Sequence, residues 1–204
     1  MTDPVLPVLG AEHGYLLGSL LLLALQVFVY AVLAGRVRGQ VFSKKFMDDK
    51  FGDLHFKQTQ NSAPAGGFPD MGCGRYSDEL SYYDWFRMNN AQRNHANYLE
   101  NFSLMVVSLL IAGIYYPVHA TGISLLIFVA RIMYAFYLTP KGASSKVRGL
   151  GSGLSSLALL AAFVFAFMSV HHLIQLPLAY GNQSATTTET AAAATEATPQ
   201  FLSS

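Results

Sequence analysis

Tyr15-Leu16-Leu17-Gly18-Ser19-Leu20-Leu21-Leu22-Leu23-Ala24-Leu25-Gln26-Val27-Phe28-Val29-Tyr30-Ala31-Val32-Leu33-Ala34 contains no charged residue, and Gln26 alone interrupts its apolar character. A helix needs about 20 such residues to cross the hydrocarbon core of a bilayer. Three more apolar stretches follow, over 102–116, 122–138 and 154–170, the last continuing less purely to 178. Hydrophobic residues make up 52% of the 204-residue chain and charged ones only 12%, against the usual quarter for soluble domains. The reading is an all-α integral membrane protein whose protomer is a four-helix bundle. The first stretch is too long, and too poor in flanking basic residues, for a secretory signal, and it reads as a retained span.

Orientation follows from the cations. Arg36, Arg38, Lys44, Lys45, Lys50, Lys57, Arg75 and Arg87 fall in the loop after the first span. Lys141, Lys146 and Arg148 fall in the loop after the third. Arg93 and Arg131 belong to helices, and the remaining segments carry none. The asymmetry predicts two cytosolic loops and both termini on the opposite side. Residues 1–180 form one membrane domain with a long loop over 36–90. Residues 181–204, rich in Ser, Thr and Ala, are expected to be disordered. Within the long loop, a mixed-charge amphiphilic piece spans 42–56. A Gly- and Pro-rich piece over 61–74 then predicts irregular surface structure without a second core. Tyr82, Tyr83, Trp85 and Phe86 bring the chain back to the membrane interface.

Cys73 is the only cysteine, so an intramolecular disulfide is excluded, and an exposed thiol is the plain expectation. The six histidines show no metal-ligand spacing, and no metal is expected. Phosphate-binding loops, dinucleotide fingerprints and Ser-His-Asp contexts are absent from the sequence. A net charge of +1 without a basic stripe gives nucleic acid nothing to bind.

The polar chemistry gathers at helix mouths. Gln92-Arg93-Asn94-His95-Ala96-Asn97-Tyr98-Leu99-Glu100 leads straight into the second apolar run. Arg93, Asn97 and Glu100 are spaced i, i+4, i+7 and share one face of a helix. Charges at the mouth of a membrane helix are costly unless something polar meets them. They form a binding face or, alternatively, an interfacial anchor with an internal Arg–Glu salt bridge. In the third span Arg131 and Tyr134 are i, i+3, with Tyr137 beyond. Tyr134 reads as a site residue or as packing, whereas Arg131 must pair with protein or water. Arg148 opens the fourth span, at the positive end of its helix dipole. It is either a topological anchor or half of an anion site shared with the helix N-terminus.

Glu12-His13-Gly14-Tyr15, the string over 92–100, Ala130-Arg131-Ile132-Met133-Tyr134-Ala135 and Ser145-Lys146-Val147-Arg148-Gly149 recur in this order in the MAPEG family, membrane-associated proteins in eicosanoid and glutathione metabolism. The chain resembles that family over most of 12–175. The resemblance implies a homotrimer that holds glutathione, as co-substrate, between neighbouring subunits near the cytosolic face. It implies that Arg93, Asn97, Glu100 and Tyr134 bind glutathione, with contacts from Arg36 or Arg38 and from Tyr137, and that Arg148 activates the thiol. Several relatives have Tyr where this chain has Asn101.

Arginines suit the carboxylates of glutathione and Glu100 its ammonium. A nearby cation lowers a thiol pKa from about 8.5 and enlarges the thiolate fraction. The implied activity is a glutathione transferase acting on lipophilic electrophiles, with peroxidase activity toward lipid hydroperoxides as a possible extension, in the endoplasmic reticulum. The alternative within the family is a non-enzymatic lipid-binding or scaffold trimer.

Overall fold

The computed structural model describes residues 9–136 and 142–196, with side chains as far as residue 176. Five α-helices make up the architecture: α1 (Ala11–Val41), α2 (Lys44–Thr59), α3 (Tyr82–Gly113), α4 (Pro117–Tyr134) and α5 (Lys146–Glu196). No strand occurs among the described residues. All except α2 contain a segment long and apolar enough to cross a membrane, which in α5 is Lys146–Leu176.

Each of these helices begins or ends away from its apolar run, because hydrocarbon contact and backbone hydrogen bonding stop at different places. α1 runs on to Val41, and α3 starts at Tyr82, so the whole polar string over 92–100 is helical. Ser81 caps α3, its hydroxyl accepting from the Asp84 amide at 3.1 Å, and Pro117 occupies the first turn of α4, where a missing N–H costs nothing. α4 ends at Tyr134, so Tyr137 lies outside the described residues. α5 is helical as far as Glu196, and residues 197–204 lie outside the described residues.

α1, α3, α4 and α5 pack around Leu16, Leu20, Leu23, Tyr98, Leu109 and Ile127. Lipid is as apolar as leucine, so helices associate by close fit and hydrogen bonding more than by hydrophobic exclusion. α5 accordingly turns Ala158, Ala162 and Ala166 inward. At Gly151 a Cβ would sit 2.6 Å from the carbonyl oxygen of Ala130, so only glycine lets α5 come this close to α4. Leu21, Phe28, Leu157, Leu160 and Phe167 face outward and exposed, as lipid contact requires.

The long loop corrects the expectation of surface structure without a core. Phe42, Met47, Phe51 and Ala63 from the loop bury themselves against Ala34, Val37 and Val41 of α1 and Met88 and Ala91 of α3. Residues 61–74 are irregular as expected, but they are anchored. Arg38 Nε donates to the carbonyl of Gly66 at 2.7 Å and its Nη2 to that of Gly67 at 3.1 Å. Its guanidinium lies 3.9 Å from the Phe68 ring centroid. The Asp70 carboxylate accepts from the amides of Gly72, Gly74 and Ser77 and from the Ser77 hydroxyl. Trp85 Nε1 and Asn89 Nδ2 on α3 both donate to the Gly72 carbonyl.

Candidate functional site

Three turns of three helices converge where α3 enters the membrane. Arg131, only 4% exposed, donates from Nη1 to Asn97 Oδ1 at 2.7 Å. Its guanidinium lies over the rings of Tyr98 at 4.7 Å and Tyr134 at 5.6 Å. On the other side of Tyr134 is Arg148, 4.6 Å from the same ring centroid, with Nη2 donating to the Tyr134 hydroxyl at 3.3 Å. Two buried cations therefore flank one phenol. Among the described residues the ion pairs are Lys44–Asp48 and Lys50–Glu79, so no carboxylate meets either arginine. Arg131 Nε and Arg148 Nη1 are buried without a partner. Unpaired cationic donors inside a membrane bundle are costly, and an anion is the partner that relieves the cost.

Arg148 is the third residue of α5, so the free amides at that helix start favour the same anion. Arg131, but not Arg148 or Tyr134, lines a cleft of about 140 Å³ whose walls are mostly Asn97, Asn101, Ser152, Ser155 and Ser156. Ser155 Oγ is buried and unpartnered there. Asn101 turns back on its own helix, donating to the Asn97 carbonyl at 2.7 Å.

A second polar layer supports the first. Tyr98, fully buried, donates to Gln26 Oε1 at 2.8 Å. Gln26 Nε2 donates to the Phe128 carbonyl at 3.1 Å, and the Tyr30 hydroxyl to the Arg131 carbonyl at 3.2 Å. The one polar interruption of the first apolar run thus ties α1 to α3 and α4 directly under Arg131. Gln26, Tyr30 and Tyr98 were not candidates from sequence. The signal was Gln26 itself, whose amide could not stay unsatisfied in a spanning helix.

The structure unites Asn97, Tyr134 and Arg148 through Arg131, but does not gather every candidate. Arg93 and Glu100 are exposed on α3 and form no ion pair with each other among the described residues. Arg36 is exposed on α1. Arg38 is buried against the loop carbonyls, so of the two α1 arginines only Arg36 is free of the loop. The family model for the MAPEG family matches residues 16–168. The chain belongs to the MAPEG family. MAPEG proteins include glutathione transferases and other proteins of eicosanoid and glutathione metabolism, and the match runs from within α1 to within α5 and includes the Arg131–Tyr134–Arg148 constellation.

Proposed function

We propose that this MAPEG chain is a membrane-bound glutathione transferase, nearest in kind to microsomal glutathione S-transferase 3, that works as a homotrimer in the endoplasmic reticulum with both termini lumenal. The observation that carries the reading is the pair of buried arginines around Tyr134, with unpartnered donors and no acid among the described residues to neutralise them. Glutathione offers what they lack: two carboxylates and a thiolate. Asn97 and Tyr134 bind from one protomer, and Arg148 faces the thiol. Arg93 and Glu100, exposed on the protomer, meet the carboxylate and ammonium ends of a glutathione shared with a neighbouring copy. Arg36 and Tyr137 complete the set.

Arg148 stabilises the thiolate electrostatically, so the thiol proton leaves to solvent and the sulfur attacks an electrophilic carbon to form a thioether, either displacing a leaving group that departs with its bonding electron pair or opening a conjugated double bond whose carbanion then takes a proton from solvent. Lipophilic electrophiles and lipid hydroperoxides reach the site laterally from the bilayer. Ultraviolet absorbance of glutathione bound to the detergent-solubilised protein, followed against pH, tests this. Wild type should show thiolate below the roughly 8.5 of a free thiol, and Arg148→Ala should return toward it. Conjugation should slow by about 10²–10³ while binding changes little. Binding with neither a shifted thiolate nor turnover would instead favour the lipid-binding scaffold.

A further inference from the structure

The Glu12-His13-Gly14-Tyr15 motif takes no part in the glutathione site, since it opens α1 at the end of the bundle away from the basic loops. There a cleft of about 340 Å³ lies between the start of α1 and the end of α3, walled by Leu16, Leu17, Leu110, Gly113 and Ile114. α1 and α3 cross tightly at its base, where a Cβ on Gly113 would fall 2.1 Å from Leu16 Cδ2. Leu17 and Leu110, 54% and 42% exposed, form a rim that opens to the surroundings of the bundle.

Among the described residues the cleft contains one polar side chain, His13. His13 Nδ1 accepts the Gly10 amide at 3.1 Å, which places the imidazole proton of the neutral ring on Nε2. That Nε2 is buried and has no partner. A lone donor against apolar walls selects its occupant. Water wants two to four polar partners and finds one. Glutathione carries charges that nothing in this cleft would meet. A hydrocarbon chain ending in an acceptor oxygen satisfies both the walls and the donor. His13 lies in the first turn of a spanning helix and Gly113 is the last residue of another, the depth at which lipid ester groups meet hydrocarbon.

We propose that this cleft is a lipid-binding site that takes one acyl chain of a diacyl phospholipid from the leaflet opposite the basic loops, with the ester carbonyl accepting from His13 Nε2–H. The site is independent of the glutathione reading. It ties α1 to α3 at the end remote from the chemistry.

The test uses the full chain reconstituted with phosphatidylcholine carrying a photoreactive acyl chain, beside an ether-linked analogue that lacks the carbonyl. The ester probe should label α1 and α3 peptides containing Leu17 and Leu110 roughly three- to tenfold more than the ether probe, the discrimination one hydrogen bond supplies. The outward face of α5, containing Leu157 and Leu160, should label equally with both. His13→Phe should abolish the preference, and Leu17→Trp or Leu110→Trp should remove the excess labelling by filling the cleft. Equal labelling by both probes in wild type, or a preference that survives His13→Phe, would overturn the proposal.

Discussion

Arg38→Ala separates two roles that the sequence left open for this residue. The guanidinium makes hydrogen bonds of 2.7 and 3.1 Å to the Gly66 and Gly67 carbonyls and stacks on Phe68 at 3.9 Å. Each bond from a charged donor is worth about 1.5–3 kcal/mol and the ring contact about 1 kcal/mol. The sum overstates the loss, because contacts within one network are not additive and the loop keeps its anchors at Asp70, Trp85 and Asn89. A local destabilisation of about 3–4 kcal/mol remains, enough to raise the open population of the loop several-hundredfold. Hydrogen exchange and limited proteolysis over residues 61–76 read it directly. The four spanning helices should stay protected. Arg38→Lys should fall between, since it keeps the charge but cannot hold both carbonyls with one planar fork. Unchanged exchange in Arg38→Ala would refute the clamp. Loss of glutathione binding with the loop still protected would reassign Arg38 to the ligand.

Other outcomes follow from the same geometry. Burial pushes the Asp70 carboxyl up, but the Ser77 hydroxyl and the amides of Gly72, Ser77 and Gly74 outweigh it and hold its pKa below the ordinary carboxylate value. The loop should therefore keep its full protease resistance from neutral pH down to the neighbourhood of the ordinary value of about 3.9, lose it progressively below that as the opened loop takes up a proton, and retain none of the carboxylate's contribution once pH is under the lowered value. Asp70→Asn should weaken the loop at neutral pH. Tyr98→Phe leaves Gln26 Oε1 without its 2.8 Å donor and should cost about 1–3 kcal/mol in denaturation from detergent. Gln26→Leu in the same background should add less than it costs alone, and strict additivity would show that the pair is not coupled. Arg93→Ala and Glu100→Ala should each weaken glutathione binding by about 1.5–3 kcal/mol in calorimetric titration, and unchanged affinity in both would remove that face of α3 from the site.

Four apolar runs and the placement of every lysine and arginine were enough to read the membrane class, since the bilayer punishes an unsatisfied backbone or stray charge wherever it falls. Asn97, Arg131, Tyr134 and Arg148, which the fold brings together, stood out for the same reason, because polar residues are conspicuous in spanning segments, whereas Arg93 and Glu100 stay exposed on α3. Helix limits were not, as the apolar run records lipid contact and α3 continues well outside it to Tyr82. The loop core escaped because Phe42, Met47 and Phe51 stand among the charges of the piece over 42–56 and find their partners on α1 and α3, far from them in sequence. Arg36 and Arg38 look equivalent in the chain, and only the fold turns one toward the Gly66 and Gly67 carbonyls and leaves the other exposed. Gln26 and Tyr98 are far apart in sequence, and so are Asn97 and Arg131. Their hydrogen bonds depend on how three helices cross, a geometry set by small residues such as Gly113 and Gly151 that let the helices approach.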